Sequence, residues 1–287
     1  MDNKVGHAIL LISCPDGKGI TAAVTGFIAG NGGNIIHADQ HIDEQSNTFF
    51  MRLEWSLDGF GIERAGIDGA FEPIAKKFRM VWQLHFTGHK ARMAVFASKH
   101  LHCLTDLLYR YKAGQLACAI PVMISNHPDA AGLAKDLKIK FHEFAILREN
   151  KAAQEKKQLD VLKQENIDVI VLARYHQILT PAFVNAYKNR IINIHHSFLP
   201  AFAGKNPYLQ AYQKGVKLIG ATSHYVTEAL DEGPIIEQDT VRISHRDAVE
   251  DLVRKGEDLE KMVLSRAVRW HLEKKVLCYG NKTVVFD

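Results

Sequence analysis

The chain has few cysteines: four in 287 residues, at Cys14, Cys103, Cys118 and Cys278. They lie far apart with no Cys-x-x-Cys, which excludes a disulfide scaffold and a thiolate zinc ribbon. No apolar run approaches the ~18 residues of a membrane span, and no short charged-then-apolar leader precedes the first strand. There is no Gly-x-Ser-x-Gly elbow, Walker loop, internal repeat or low-complexity tract. Charge of one sign is also scarce. Thirty-six basic residues face 32 acidic ones, for a formal +4. Even the densest basic stretch, residues 151–157, is interleaved with acids and amides, so no nucleic-acid footprint is expected. These absences describe a soluble, cytoplasmic, reduced protein without a membrane or nucleic-acid partner.

What is present fits a globular enzyme-sized chain. Hydrophobic residues make up 47% and charged residues 24%, near the globular average. At ~150 residues per domain the length suggests two domains. A chain of this size buries roughly 75% of its unfolded surface without metal or disulfide staples.

Residues 7–14 (HAILLISC) read as a buried strand broken by the turn signal Pro15-Asp16-Gly17-Lys18-Gly19. Ile20, Val24, Phe27 and Ile28 then recur at helical spacing, and Asn31-Gly32-Gly33-Asn34 closes that helix. Residues 34–42 and 48–55 predict two strands joined by a hairpin loop at 44–47. Residues 62–78 predict a second helix, with a kink or restart at Pro73. Alternation of Met80, Trp82, Leu84 and Phe86 predicts a half-buried strand. The order βαββαβ is that of a ferredoxin-like sandwich, assigned to residues 1–86.

After the polar break at 87–90, residues 91–287 read as a second domain. Strands at 93–98, 117–125, 139–144, 168–173 and 190–195 alternate with helices, including a heavily charged one at 149–165 and one capped by Thr180-Pro181. Pro121 predicts a bulge or an edge position. The alternation predicts a doubly wound, mostly parallel α/β sheet. Beyond Pro200, residues 218–226 and 234–241 predict paired strands. Ser244 and Asp247 predict a capping box opening a helix to about residue 274. A short hairpin is expected at 276–286.

Open α/β sheets bind ligands at the carboxyl ends of their strands. The densest polar run at such an end is Asn193-Ile194-His195-His196-Ser197. Asn193 and His195 share one strand face, offering an amide donor and an imidazole, whereas His195 and His196 are expected to point apart. On spacing alone the run reads as readily as a strand end with turn-forming polar residues. Asp231, in a turn before a strand, is within reach of a histidine, although Asp-Glu-Gly-Pro is also ordinary loop chemistry.

Taken together these segments resemble the folate-dependent formyltransferase family over roughly residues 91–287. Asn193, His195 and Asp231 match the family's catalytic Asn, His and Asp in order and context. Ile124-Ser125-Asn126, Leu172-Ala173-Arg174-Tyr175 through Leu179, and Ser197 with Leu199-Pro200 match as well. The N-terminal half resembles an ACT domain, including the entry at Asp16-Gly17-Lys18-Gly19-Ile20. The pairing of the two implies a branch that hydrolyses 10-formyltetrahydrofolate to tetrahydrofolate and formate, feeding one-carbon metabolism and purine synthesis. The resemblance implies reduced folate as substrate, no prosthetic group, and no metal. It places Arg174, Tyr175, Ile178, Leu179, Ser197 and His224 at the substrate, with main-chain groups near Arg174 and Ile178 reading the pterin edge.

Two departures matter. Glycinamide ribonucleotide formyltransferases carry a Gly/Ser-rich phosphate loop after their first strand, where this chain has Ala97-Ser98-Lys99-His100-Leu101-His102 with no glycine. Water is therefore the expected acceptor. The family also has an apolar residue where this chain has His176. For the ACT half the resemblance implies an amino-acid effector at Asp16, Gly17 and Gly19 of one copy facing Asn34 of another, or a pure oligomerisation module, with self-association in either case. A formyl transferase to a small amine and a non-catalytic amino-acid sensor are the competing readings. His37, His41 and His85 show no ligand spacing, and the cysteines read as buried small hydrophobes.

Overall fold

The structure, a computed structural model, describes residues 6–201 and 207–287. The chain divides into two compact units, the first holding Met1–His89 with Lys274–Leu277 and Val284–Asp287, the second Lys90–Glu273 with Cys278–Thr283.

The first unit follows the order β1 (His7–Pro15), α1 (Ile20–Gly30), β2 (Asn34–Asp43), β3 (Thr48–Ser56), α2 (Arg64–Phe78), β4 (Val81–Phe86). Its sheet runs β2-β3-β1-β4, all antiparallel, with Leu10 opposite both Leu53 and Leu84. The period-2 pattern explains the core: Ala8, Leu10, Ile12 and Cys14 share a face with Phe49, Met51, Leu53 and Trp55. Against that face α1 lays Ile20, Val24 and Ile28, and α2 lays Ile67, Phe71 and Ala75, each set at i, i+4, i+8. Helix α2 runs through Pro73 without the restart that the proline suggested. Phe71 and Ala75, anchored on either side of it, hold the helix where one backbone hydrogen bond is missing.

The second unit contains β5 (Ala91–Ala97), α3 (His102–Lys112), β6 (Cys118–Ser125), α4 (Ala131–Asp136), β7 (Lys140–Glu143), α5 (Lys151–Gln164), β8 (Val169–Ala173), α6 (Pro181–Ala186) and β9 (Ile191–His195). It continues through α7 (Pro207–Lys214), β10 (Leu218–Tyr225), β11 (Ile235–Arg242) and α8 (Val249–Leu272). The sheet order is β11-β10-β9-β8-β5-β6-β7. The strands from β9 to β7 are parallel, and β10 is antiparallel to both of its neighbours. Order reverses between β8 and β5, so the crevice of this sheet opens beyond Ala97 and Ala173. Pro121 falls in a register shift opposite Met93, the bulge its missing amide hydrogen calls for. β8 is buried along its whole length, as a central parallel strand must be.

One boundary differs from the sequence reading. The long helix starts at Val249 and not at the Ser244 box. Ser244 Oγ accepts from the Arg246 amide (3.2 Å), so the pair with Asp247 closes a turn, and the Asp251 carboxylate caps the helix by accepting from the Ala248 amide (3.0 Å). The chain ends in the expected hairpin, β12 (Val276–Tyr279) with β13 (Lys282–Val285), of which Lys274–Leu277 and Val284–Asp287 group with the first unit. Arg52 Nε, donating to the Lys274 carbonyl (3.0 Å), ties that segment to the first unit. Among the described residues no helix is long and apolar enough to cross a membrane.

Candidate active site

Asn193 and His195 lie two apart at the end of β9, and β10 runs beside them with His224 paired to Asn193 and Thr222 to His195. Beyond β10 the chain turns back sharply. Asp231 adopts a left-handed backbone (φ 56°). A Cβ at Gly233 would come 1.8 Å from the Tyr225 carbonyl oxygen, so this turn is closed only with glycine. The Tyr225 amide donates to the Pro234 carbonyl (2.9 Å) and pins the base of the turn. Asp231 is thereby delivered to two rings: its Oδ2 is 3.2 Å from His195 Nδ1 and its Oδ1 3.6 Å from His224 Nε2.

The hydrogen bonds fix the tautomer of one ring. His224 Nδ1 donates to the Tyr225 carbonyl (3.0 Å), so Nε2 is free to accept from Asn193 Nδ2 (3.2 Å). One amide hydrogen of Asn193 remains for another acceptor. His195 is 6% exposed, and its Nε2 is buried without a partner among the described residues. Burial would raise the Asp231 carboxyl, but His195, hydrogen-bonded to it, and the His224 ring beside it outweigh burial and hold the pKa well below the usual carboxylate range. Asp231 is therefore an anion at neutral pH, with 21% of its side chain still exposed. The arrangement offers a donor amide, an imidazole nitrogen seeking a partner and a fixed negative charge, the parts needed to hydrolyse an amide-like bond.

The other expected residues are scattered in role. Tyr175 turns into the core, edge-on to Phe96 (5.2 Å), with its hydroxyl accepting from Gln158 Nε2 (3.3 Å). Leu179 belongs to the same core, and Ile178 is 57% exposed. Ser197 donates to the Ala201 carbonyl (2.7 Å) and its own carbonyl accepts from Thr222 Oγ1 (2.9 Å), so it shapes the loop after β9. Arg174, left-handed at φ 62°, sends its side chain to His196 Nδ1 and to the Glu260 carboxylate. His176 is exposed, with its ring edge-on to His100 (5.5 Å). Asp16 donates from its amide to the Asn47 carbonyl (2.9 Å), Gly19 precedes α1 with φ 87°, and Gly17 and Asn34 are exposed.

Sequence reasoning missed Glu260. It is 0% exposed on α8, accepting from Tyr208 Oη (2.5 Å) and paired with His102 Nε2 (2.7 Å). Arg174 Nε lies 3.4 Å away. The signal was present: Glu260 falls on the stripe of Gly256, Leu259, Val263 and Leu264, where an apolar residue belongs. His102, Cys103 and Glu260 offer ligand atoms within 4.8 Å of one another. They do not suit a cation. Both Glu260 oxygens are engaged, a guanidinium stands beside them, and burial with Glu260 pushes the Cys103 thiol far above its ordinary range.

The chain is 55% identical over 279 residues to the formyltetrahydrofolate deformylase of Synechocystis sp., covering 97% of this chain and 98% of that one. It belongs to the formyltetrahydrofolate deformylase family. The formyl transferase pattern matches residues 91–268 and the ACT domain pattern residues 8–59. A crystal structure of a deformylase from Pseudomonas syringae superposes with a TM-score of 0.96 at 46% identity, covering all of this chain and 96% of that one. Glycinamide ribonucleotide transformylase 1 from Symbiobacterium toebii matches 71% of this chain and 98% of its own at a TM-score of 0.65 and 32% identity. The deformylase relatives thus share both units, and the transformylase leaves more than a quarter of this chain unmatched.

Proposed function

We propose that this member of the deformylase family hydrolyses 10-formyltetrahydrofolate to tetrahydrofolate and formate, with Asn193, His195 and Asp231 as the reacting set. The observation that carries this reading is the buried His195 Nε2, without a partner among the described residues, beside Asp231 and the spare amide hydrogen of Asn193. Water attacks the formyl carbon and its carbonyl oxygen becomes an oxyanion. Asn193 Nδ2 and protonated His195 Nε2 donate to that oxygen. Asp231 stabilises the imidazolium, holds the attacking water through its exposed edge and passes the proton lost by water to N10 as the C–N10 bond breaks. His224 fixes Asn193 and Asp231 in place. Main-chain groups from Arg174 to Ile178, at the carboxyl end of β8, lie where a flat heterocycle with alternating donors and acceptors would pair, and Ile178 offers it an apolar cover.

Incubation with 10-formyltetrahydrofolate and no added amine tests the reading: stoichiometric formate and tetrahydrofolate are expected. Formate or formyl transfer only when an amine acceptor is added would make the chain a transferase, and no reaction in either case would leave a sensor. Asn193→Ala is expected to lower kcat about 10²–10³-fold, as loss of one oxyanion donor does; a change in KM alone would make Asn193 a binding residue.

The ACT half is proposed to take a small amino acid at Asp16, Gly17 and Gly19 against Asn34 of a second copy. Support comes from the exposed entry to α1, whose free amide groups suit a carboxylate, and from β2, the end strand of its sheet. Calorimetric titration with the amino acids, and sedimentation for self-association, decide it.

A further inference from the structure

We propose that His196 is a positioning residue for His195: its ring, anchored by Arg174 and through it by Glu260, fixes the plane of the His195 imidazole. The inference rests on the role given to His195 above. Strand alternation would send the two side chains to opposite faces, but β9 ends at His195 and the rings instead lie stacked, centroids 5.0 Å apart and 22° between planes. A stacked ring resists rotation of its neighbour in a way that a single hydrogen bond does not.

His196 is itself held. Its Nδ1 accepts from Arg174 Nη1 (2.5 Å). An accepting nitrogen carries no proton, so the neutral ring keeps its hydrogen on Nε2. Burial, Arg174 and His195 hold the His196 pKa at about 3, with Glu260 opposing them and His176 adding to them. The ring is therefore neutral throughout the range in which the enzyme works. Arg174 has little freedom, because its Nε lies 3.4 Å from the buried Glu260 carboxylate. Glu260 is fixed in turn by His102 and Tyr208. Tyr208 reaches it only because α8 has glycine at 256, where a Cβ would stand 2.1 Å from the Tyr208 oxygen. The Tyr208 ring also flanks His196, at 6.1 Å and 47°. His195 consequently has Nδ1 on Asp231 and one face on His196, and Nε2 is its one polar atom left for substrate. Such constraint matters because misplacement of a reacting group by ~1 Å can cost ~100-fold in rate.

Two substitutions separate the ring from its anchor. His196→Asn keeps an acceptor for Arg174 and removes the ring; His196→Phe keeps a flat ring and removes the acceptor. Imidazole ¹⁵N NMR of His195 is read beside steady-state kinetics and Tm. For His196→Asn, the His195 nitrogen resonances are expected to move from the values of one fixed ring orientation toward averaged ones. Its kcat is expected to fall roughly 10- to 100-fold with KM near wild type. His196→Phe is expected to bring the His195 signals back toward wild type. Unmoved His195 resonances with wild-type kcat in the Asn variant would overturn the proposal. So would an Asn variant that changed only Tm, the mark of a merely structural contact. If the wild-type protein released no formate, the hydrolase reading would fail, and the NMR comparison would still decide whether His196 orients His195.

Discussion

The two units bury different things. Arg52 is the single polar or charged side chain of the first unit that is buried among the described residues, whereas the second buries Ser98, Ser125, Glu155, Gln158, His195, Ser197, Thr222, Ser223, His224, Glu260 and Ser265. The first is an apolar sandwich whose core is two helical stripes laid on one sheet face. The second carries a comparable apolar core and, on its strand ends and on the helices beside them, polar groups that are costly to bury unless each finds a partner. The lesson is that buried polarity marks the place where the fold has been made to do chemistry. Most of these groups find partners among the described residues, whereas His195 Nε2 and Gln158 Oε1 do not.

The contrast is most directly broken at Asp231. Asp231→Asn keeps the shape but removes the charge facing two imidazoles, and kcat is expected to fall about 10²–10⁴-fold while the folded state is retained. Near wild-type hydrolysis would remove Asp231 from the reacting set.

Glu260→Ala and Phe71→Ala compare the two kinds of core. Removing Glu260 leaves the mostly buried Arg174 guanidinium without its counter-charge, expected to cost ~3–5 kcal/mol in urea unfolding and to lower kcat through Arg174 and His196. Phe71→Ala opens a cavity in the first unit at a similar cost of ~3–5 kcal/mol, with kcat unchanged in protein that remains folded at the assay temperature. Equal loss of kcat in both would mean that the chemistry depends on the first unit as closely as on the second.

Acid titration sharpens the difference. His85 and His196 are neutral in the fold, lowered to about 4 and 3 by burial first and then by Lys274 for His85 and Arg174 for His196. In the unfolded chain an imidazole titrates near ~6.5. Below that pH the unfolded state binds more protons, so this stabilisation is full above ~6.5 and is lost as the pH falls toward the folded values. The depressed carboxylates Asp231 and Glu260 follow in a lower window, stabilising above the usual carboxylate pKa of ~4 and losing that contribution as they protonate. The urea midpoint should be flat above pH 7 and decline below 6.5, and His196→Asn should make that decline shallower. An unchanged slope would mean that His196 titrates normally in the fold.

The smallest effect is expected on the exposed face of the same helix that carries Glu260. Arg254 pairs with Asp251 at 2.7 Å, but its side chain is 72% exposed. Arg254→Ala should cost less than ~0.5 kcal/mol and leave kcat alone. A larger effect would show that charge on α8 matters irrespective of burial.

The sequence by itself determined a good deal. Period-2 runs and helical stripes, punctuated by Pro15-Asp16-Gly17 and by Gly32-Gly33, lead to the βαββαβ sandwich, because apolar spacing and turn residues are local properties. The strand end at Asn193 and His195 was legible for the same reason, and so was the turn at Asp231 that brings a carboxylate to them. Only the tertiary structure decided the rest. The Tyr175 ring turns into the core and the Ser197 hydroxyl bonds within its own loop, orientations that a motif does not state because it does not say which way a side chain turns. His195 and His196 stack because the strand stops between them, which alternation cannot foresee. Glu260 meets His102, Tyr208 and Arg174 across as many as 158 residues of chain. Its place among apolar neighbours could be read in advance, but its partners could not, because long-range pairing is fixed by how the helices settle on the sheet and not by spacing along the chain.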